Sequence, residues 1–286
     1  MRWPGSCAAP GENLNYRHAF HAGNFADLVK HAVLLQLLAA MQADGGPLSV
    51  IDTHAGRGVY DLAGEEARRS GEAEAGVIRL MAAKDGPPAF TPLKTAVAAL
   101  NDRGETRRYP GSPWLIAQAL RPTDSYLACE LRPDEHAALR ETMCGRRNVR
   151  TLWADGYEAA AAQTQASGRT LVLIDPPFER PDDYQRIVAT LGAIRSRNPK
   201  AVALVWLPLK DLETFDRFLR DFEDVVDVPA LVGETRMRPL TNPMKMNGCA
   251  LLLMGAPAGL ADPMEAICAW TAAMPGQGGA SRVYSL

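Results

Sequence analysis

Four carboxylates stand where apolar runs of the sequence stop. Asp52 follows Leu48-Ser49-Val50-Ile51, Glu130 follows Tyr126-Leu127-Ala128-Cys129, Asp155 comes just after Trp153-Ala154, and Asp175 follows Leu171-Val172-Leu173-Ile174. The last is the most informative, because Pro176, Pro177 and Phe178 come next. A residue before proline is pushed into extended geometry, so Asp175 projects from a strand tip. The prolines lack N–H groups, so the ladder stops and carbonyl oxygens, that of Pro176 first, are free to accept elsewhere. An acceptor side chain, a free carbonyl and the Phe178 ring together suit a flat heterocycle that carries an amino group. A bare Asp-Pro-Pro also fits a plainer reading, a strand end closed by a proline turn and a capping acid.

The other three acids fit a cofactor. Asp52-Thr53-His54-Ala55-Gly56-Arg57-Gly58 is an acid followed by a small-residue turn, and glycine there lets the backbone approach a ligand. The third glycine of a dinucleotide fingerprint is replaced by Asp61, and no Gly-Lys-Ser/Thr of a P-loop follows. With no pyrophosphate to hold, an acid-rich turn suits cationic centres, and the sulfonium and ammonium of S-adenosylmethionine fit. Glu130 stands where an α/β site binds ribose hydroxyls, and Asp155-Gly156 offers an acceptor for an adenine amino group. A single acid at a strand end is commonly a helix cap. Four in succession, in the order cofactor turn, ribose acid, adenine acid, catalytic acid, are harder to explain as caps.

Elements that alternate along the chain must position these groups. Asn24 caps a helix that keeps apolar spacing through Leu28, Val33, Leu34, Leu37 and Leu38 until Gly45-Gly46. Strands are expected at 48–51, 126–129, 149–153, 171–174, 201–207 and 250–254, with helices at 134–143, 157–166 and 182–195 between them. Ser112, followed by Pro113, reads as a further helix cap. This alternation is that of a doubly wound α/β sheet, which binds ligands outside the carboxyl ends of its strands. The segment 62–104 is alanine-rich, charged and helical in period, and reads as a small helical insertion.

The composition sets bounds. With 286 residues, 47% hydrophobic and 22% charged, the chain suits one large domain carrying an insertion, here 13–286 after a loose tail at 1–12. A net charge of -2 excludes an overall basic field, so a nucleic-acid partner must be held by local clusters. Arg107/Arg108, Arg146/Arg147/Arg150 and Arg236/Arg238/Lys245 are candidates, each taken alone more often a solvated face or helix end than an RNA footprint. Five cysteines, odd in number and never in a C-x-x-C pair, argue against disulfides and zinc and for a reducing cytoplasm. No signal peptide is evident, and no run of about eighteen apolar residues suggests a membrane span. His18-x-x-His21 tempts a metal reading, but no cysteine or carboxylate completes a familiar ligand spacing, so no metal is expected. His31 and His54 fit structural hydrogen bonding as well as a cofactor role.

Beyond single motifs, the blocks Tyr16-Arg17-His18-Ala19-Phe20-His21-Ala22-Gly23-Asn24, Lys30-His31, Asp52-Thr53-His54-Ala55-Gly56, Tyr109-Pro110-Gly111-Ser112-Pro113 and Ile174-Asp175-Pro176-Pro177 recur together here. In them the chain resembles the RlmJ-type 23S ribosomal RNA adenine-N6 methyltransferases, from Asn13 onward. The N-terminal Tyr-Arg-His block is the most specific part, since many amino-methyltransferases share Asp-Pro-Pro. The resemblance implies a class I S-adenosylmethionine-dependent methyltransferase fold, Rossmann-like, with a small helical insertion. It implies cofactor contacts at His31, His54, Ser112, Glu130, Asp155 and Gly156, with Lys30, Asp52, Gly56 and Asp175 in the same matching blocks. It further implies Asp175 as the proton acceptor, assisted by Pro176 and Phe178, and Tyr16 with Arg17 meeting 23S ribosomal RNA. The expected enzyme is a cytoplasmic monomer. The tail at 1–12 and Phe178, where tyrosine is also common, depart from the pattern.

Rival readings share the site. Guanine-N2 methylation of ribosomal RNA and adenine-N6 methylation of DNA use the same platform, while a protein-amide methyltransferase would be better served by asparagine at 175. A cofactor-binding RNA chaperone belongs to another class, and the complete set of strand-end acids argues against it.

Overall fold

The computed structural model describes residues 18–43, 45–102, 104–239, 246–274, 276 and 278–286. The tail at 1–12, Tyr16, Arg17 and Lys245 lie outside the described residues. Helix α1 (Phe25–Ala43) begins where the Asp27 amide donates to Asn24 Oδ1 at 3.0 Å, the expected cap. It is long and apolar enough to cross a membrane by composition, a feature the sequence reading passed over, but most of it is buried in the protein. Strand β1 (Leu48–Asp52) follows, then a short β2 (Val59–Asp61). The segment 62–104 carries α2 (Glu65–Ser70), a π-helical turn at Glu74–Ile78, α3 (Arg79–Ala82) and α4 (Thr91–Leu100). Strand β3 (Arg108–Pro110) pairs antiparallel with β2, so the two strands flank this segment at its base.

The chain then alternates as expected: α5 (Ser112–Ala119), β4 (Ser125–Glu130), α6 (Pro133–Thr142), β5 (Val149–Trp153), α7 (Gly156–Gln163), β6 (Arg169–Ile174), α8 (Asp183–Arg197), β7 (Val202–Leu209) and α9 (Leu212–Val226). It closes with β8 (Ala230–Arg236), β9 (Gly248–Met254), α10 (Ala261–Ala273) and β10 (Ala280–Ser285). The main sheet has the order β10-β8-β9-β7-β6-β1-β4-β5, parallel from β7 to β5 and antiparallel beyond. The strand order reverses beside β1, which has β4 on one side and β6 on the other. A crevice opens at such a switch point, outside the strand carboxyl ends. Asp52 and Asp175 close the two strands that border it.

Side chains alternate between two apolar layers. Val50, Leu171, Leu173 and Leu204 pack with α1, α5 and α10, and Ile51, Val172, Ile174 and Val205 pack with α7, α8 and α9. Besides the short β2 and β3, two strands of the main sheet were not expected. In β8, Gly233 interrupts the apolar pattern because Met264 leaves no room for a side chain, and Glu234 is buried yet paired with Arg236 and Arg282. In β10 the strand is a polar edge whose partner is only the distant β8. Ser112 also corrects an expectation: Gly111 is the residue before α5, and no side chain caps that helix.

Candidate active site

One cleft of about 440 Å³ opens over the switch point, within the range of small-molecule sites. His31, His54, Gly56, Ser112, Glu130 and Asp155 line it, as do Lys30, Gly156, Asp175, Pro176 and Phe178. Asp52 does not. It is fully buried beneath the turn, where Oδ2 accepts from Ser112 Oγ at 2.7 Å and Tyr126 Oη at 3.1 Å. Burial pushes its carboxyl up to about 6 despite those donors. Asp52 therefore props the turn and Ser112, and its expected direct cofactor contact gives way to this supporting place.

The turn itself is held at both ends. The Thr53 amide donates to the Leu173 carbonyl and the Ala55 amide to the Cys129 carbonyl, at 3.0 and 2.9 Å. Gly56 has φ 65°, and a side chain there would strike Tyr60 Oη, so the position suits glycine alone. Its amide donates to Glu130 Oε2 at 2.9 Å, and the Arg132 amide donates to Glu130 Oε1 at 2.8 Å. Each Glu130 oxygen thus keeps a lone pair for a further donor, and the carboxylate is fixed in direction. Burial raises the Glu130 pKa above its usual range.

The Thr53 hydroxyl lies 3.0 Å from the Leu173 carbonyl and 2.7 Å from His54 Nδ1. Burial holds the ring neutral by pushing its pKa down to about 4. His31 is likewise driven down to about 3 by burial, with the nearby Lys30 charge acting the same way, and its Nδ1 lies 2.8 Å from Tyr109 Oη.

Asp155 serves the fold as well as the cleft. Its Oδ1 accepts from the amides of Tyr157 and Glu158, capping α7, and its Oδ2 accepts from Arg186 at 2.8 Å. The capping alternative is real, and the adenine-acceptor role must share these oxygens. Gly156 beside it is required by close approach: a Cβ would lie 1.8 Å from the Thr53 carbonyl oxygen.

At the tip of β6, Asp175 Oδ2 is bonded to the ammonium of Lys30. That ammonium also meets Asp27 Oδ1 at 3.0 Å, and Asp27 Oδ2 meets His18 Nε2 at 3.1 Å. Burial opposes the Lys30 charge, but the Asp175 and Asp27 carboxylates outweigh it and raise the ammonium pKa above its usual value. Lys30 lines the cleft with its ammonium between two acids, where it anchors Asp175. Phe178 follows with φ 52°, a left-handed conformation that costs a bulky residue roughly 1–3 kcal/mol. Its ring packs 4.9 Å from Tyr184 and 5.8 Å from Trp206 while still facing the cleft.

Residues 45–285 match the family model RsmJ, described as ribosomal RNA large subunit methyltransferase D, RlmJ. The chain belongs to the RlmJ family. The ribosomal RNA large subunit methyltransferase J of Escherichia coli K12 is 32% identical over 90% of this chain and 92% of its own length. The protein of that name from Haemophilus influenzae is 31% identical over 89% of this chain and 91% of its own. A solved Legionella pneumophila protein superposes with a TM-score of 0.84 at 27% identity, over 93% of this chain and 98% of that one.

For this RlmJ-family chain, sequence reasoning missed Asp27, Arg186 and Trp206. Asp27 lies in the first turn of α1, where an acid is unremarkable. Trp206 lay within an expected strand and read as core. No local pattern marks either one; the period-two alternation of β7 was the one available signal for Trp206. His18 and His21, weighed as metal ligands, instead meet Asp27 and Glu72. Of the arginine clusters, Arg146 donates to the Ala117 carbonyl and Arg236 to Glu234, which are structural uses.

Proposed function

We propose that this chain transfers a methyl group from S-adenosylmethionine to the exocyclic N6 of one adenine in 23S ribosomal RNA. The observation that carries the reading is Asp175 at the switch point, one oxygen anchored by Lys30 and the other facing the cleft that Glu130 and His54 also line. The residues fit the cofactor's chemistry: two carboxylates and a neutral imidazole acceptor suit hydroxyls, an amino group and positive charge, and no pyrophosphate-type cradle competes. Glu130, with both oxygens oriented by backbone amides, would hold the ribose hydroxyls; Asp155 and Gly156 would border the adenine; His31, His54, Ser112 and Gly56 would surround the rest. When bound, S-adenosylmethionine supplies an electrophilic methyl group.

The protein's task lies on the acceptor side. An adenine amino group is a poor nucleophile because its lone pair is delocalised into the ring. Asp175 Oδ1 and the Pro176 carbonyl, accepting its two hydrogens, favour a pyramidal nitrogen with the lone pair aimed along the transfer line. Such orientation can contribute about 7–11 kcal/mol. Asp175 then takes the surplus proton directly or passes it to water. The Phe178 ring, held by Tyr184 and Trp206, offers a stacking face to a base that has left its helix, on the order of 1–3 kcal/mol. Tyr16 and Arg17 would contact the surrounding RNA. The reading extends to a metal-free reaction by a monomer in a reducing cytoplasm, where the free thiols of Cys129, Cys249 and Cys268 persist in the core.

The test is mass spectrometry of nucleosides from 23S RNA of cells lacking the gene, complemented with wild type or Asp175→Ala. The expected result is one N6-methyladenine lost in the knockout, restored by wild type and not by the variant, while calorimetry shows cofactor affinity nearly unchanged. Unchanged turnover by Asp175→Ala would overturn the assignment, and loss of a methylated guanine instead would transfer the reading to N2.

A further inference from the structure

The carboxylates of the cleft are unevenly placed. Glu130, Asp155 and Asp175 stand at the ends of β4, β5 and β6, Glu179 and Asp183 follow in the segment after β6, and the wall beyond is built by β7. There, strand alternation puts Leu207 and Leu209 into the core on one face and Trp206, Pro208 and Lys210 along the cleft on the other. Successive members of this row stand about 6.5 Å apart, the rise of two extended residues. The row runs outward from an aromatic ring, through a proline ring, to an ammonium. Its inner end lies 5.8 Å from the Phe178 ring, three residues after Asp175.

The cations of the cleft differ in the same way. Lys30 is held by Asp27 and Asp175, Arg132 by Asp134, Arg180 by Asp182 and Arg186 by Asp155. Lys210 is exposed and, among the described residues, has no carboxylate partner. Among the described residues it is therefore a lining cation whose charge is available to an anion from outside, on the acceptor side of Asp175.

We propose that Lys210 binds a backbone phosphate of the acceptor nucleotide, with Trp206 and Pro208 forming the wall along which its base and ribose lie. This rests on the methyltransferase reading and names the residue that sets the nucleotide's depth. A nucleotide entering base-first puts its flat, apolar face against Trp206 and leaves its phosphate outermost, where Lys210 stands. The ammonium, a compact point charge, suits a phosphate and reads no sequence. Its contribution is to hold the amino group at the level of Asp175 Oδ1.

The experiment measures methyl transfer to 23S RNA taken from cells lacking the gene, with wild type, Lys210→Ala, Lys210→Glu and Lys210→Arg. Removing one charge-assisted hydrogen bond should raise KM for RNA about tenfold in Lys210→Ala, with a larger rise for the charge reversal. The arginine variant should return KM toward wild type, with cofactor affinity unchanged throughout. The slope of log KM against log salt should fall by about one, as for a lost phosphate contact. Wild-type KM and salt slope in Lys210→Ala and Lys210→Glu would overturn the proposal, as would a loss of cofactor affinity equal to the loss for RNA. Failure of the wild type itself to methylate this RNA would instead remove the reading on which the proposal rests.

Discussion

Lys30→Met replaces a buried ammonium by an apolar chain of similar length and exposes how the acid at the strand tip is held. Lys30 is 5% exposed and Asp27 2%, so water cannot stand in for the lost charge. Breaking a buried ion pair by removing one partner costs about 3–5 kcal/mol. Asp27 keeps His18 Nε2 and the Gly23 amide at 3.1 and 2.9 Å, which favours the lower end of that range. The loss should also depend on pH. Burial pushes the Asp27 carboxyl up, but Lys30 first, then His18 and His31, reverse this and hold it well below its usual value. A carboxylate depressed in the folded state contributes stability that is present above its unfolded value, about 3.9, and is lost as pH falls through the folded one. In the variant the largest depressing charge is gone, so the gap from wild type is complete at neutral pH and narrows once pH falls below about 4. Urea unfolding followed by circular dichroism at pH 7.5 and 3.5, with Asp27→Asn and the double variant completing a cycle, measures it. The cycle should show a coupling of about 1–3 kcal/mol. A variant as stable as wild type, an equal loss at both pH values, or strict additivity in the cycle would refute the account of the Asp27–Lys30–Asp175 array.

Two further outcomes follow from the turn after β1. His54, with its pKa depressed to about 4, contributes stability that is fully present above its unfolded value and falls away on acidification; relative to an unfolded pKa near 6.5, about 2 kcal/mol is lost by pH 5. His54→Gln should lack that part of the acid slope, which urea midpoints at pH 7 and 5 resolve, although Asp52, raised to about 6, acts in the opposite sense in both proteins. Gly156→Ala drives a methyl group into the Thr53 carbonyl, so the turn must move; thermal unfolding should show a loss of roughly 1–3 kcal/mol, and an unchanged melting temperature would mean the contact relaxes freely.

Much of the fold was legible in one dimension because parallel strands buried on both faces are continuous apolar runs, and each such run here ended in an acid or a turn residue. The parallel strands β1, β4, β6 and β7 and the helices between them follow from that pattern, as does the buried though antiparallel β9, while β5 was expected although it is a partly exposed edge strand. Strands β8 and β10 did not show, since one contains a glycine that serves a distant methionine and a buried glutamate whose arginine partner is 48 residues away. The acid at 175, the glutamate at 130 and the glycines of the first turn were legible by type and position.

What the sequence could not decide is which acid faces the cleft and which stands behind it. Asp52 and Glu130 end their strands in much the same way along the chain, yet Asp52 is turned under Ser112 and Tyr126 while Glu130 lines the cavity. Asp27 and Lys30 lie one helical turn apart, which says nothing of the strand end 145 residues later that their ion pair steadies. Periodicity reports what one element does to itself; the direction of a buried side chain is set by partners that only packing brings near. The types of the reactive groups therefore came from the sequence, and their orientation, protonation and anchoring from the tertiary structure.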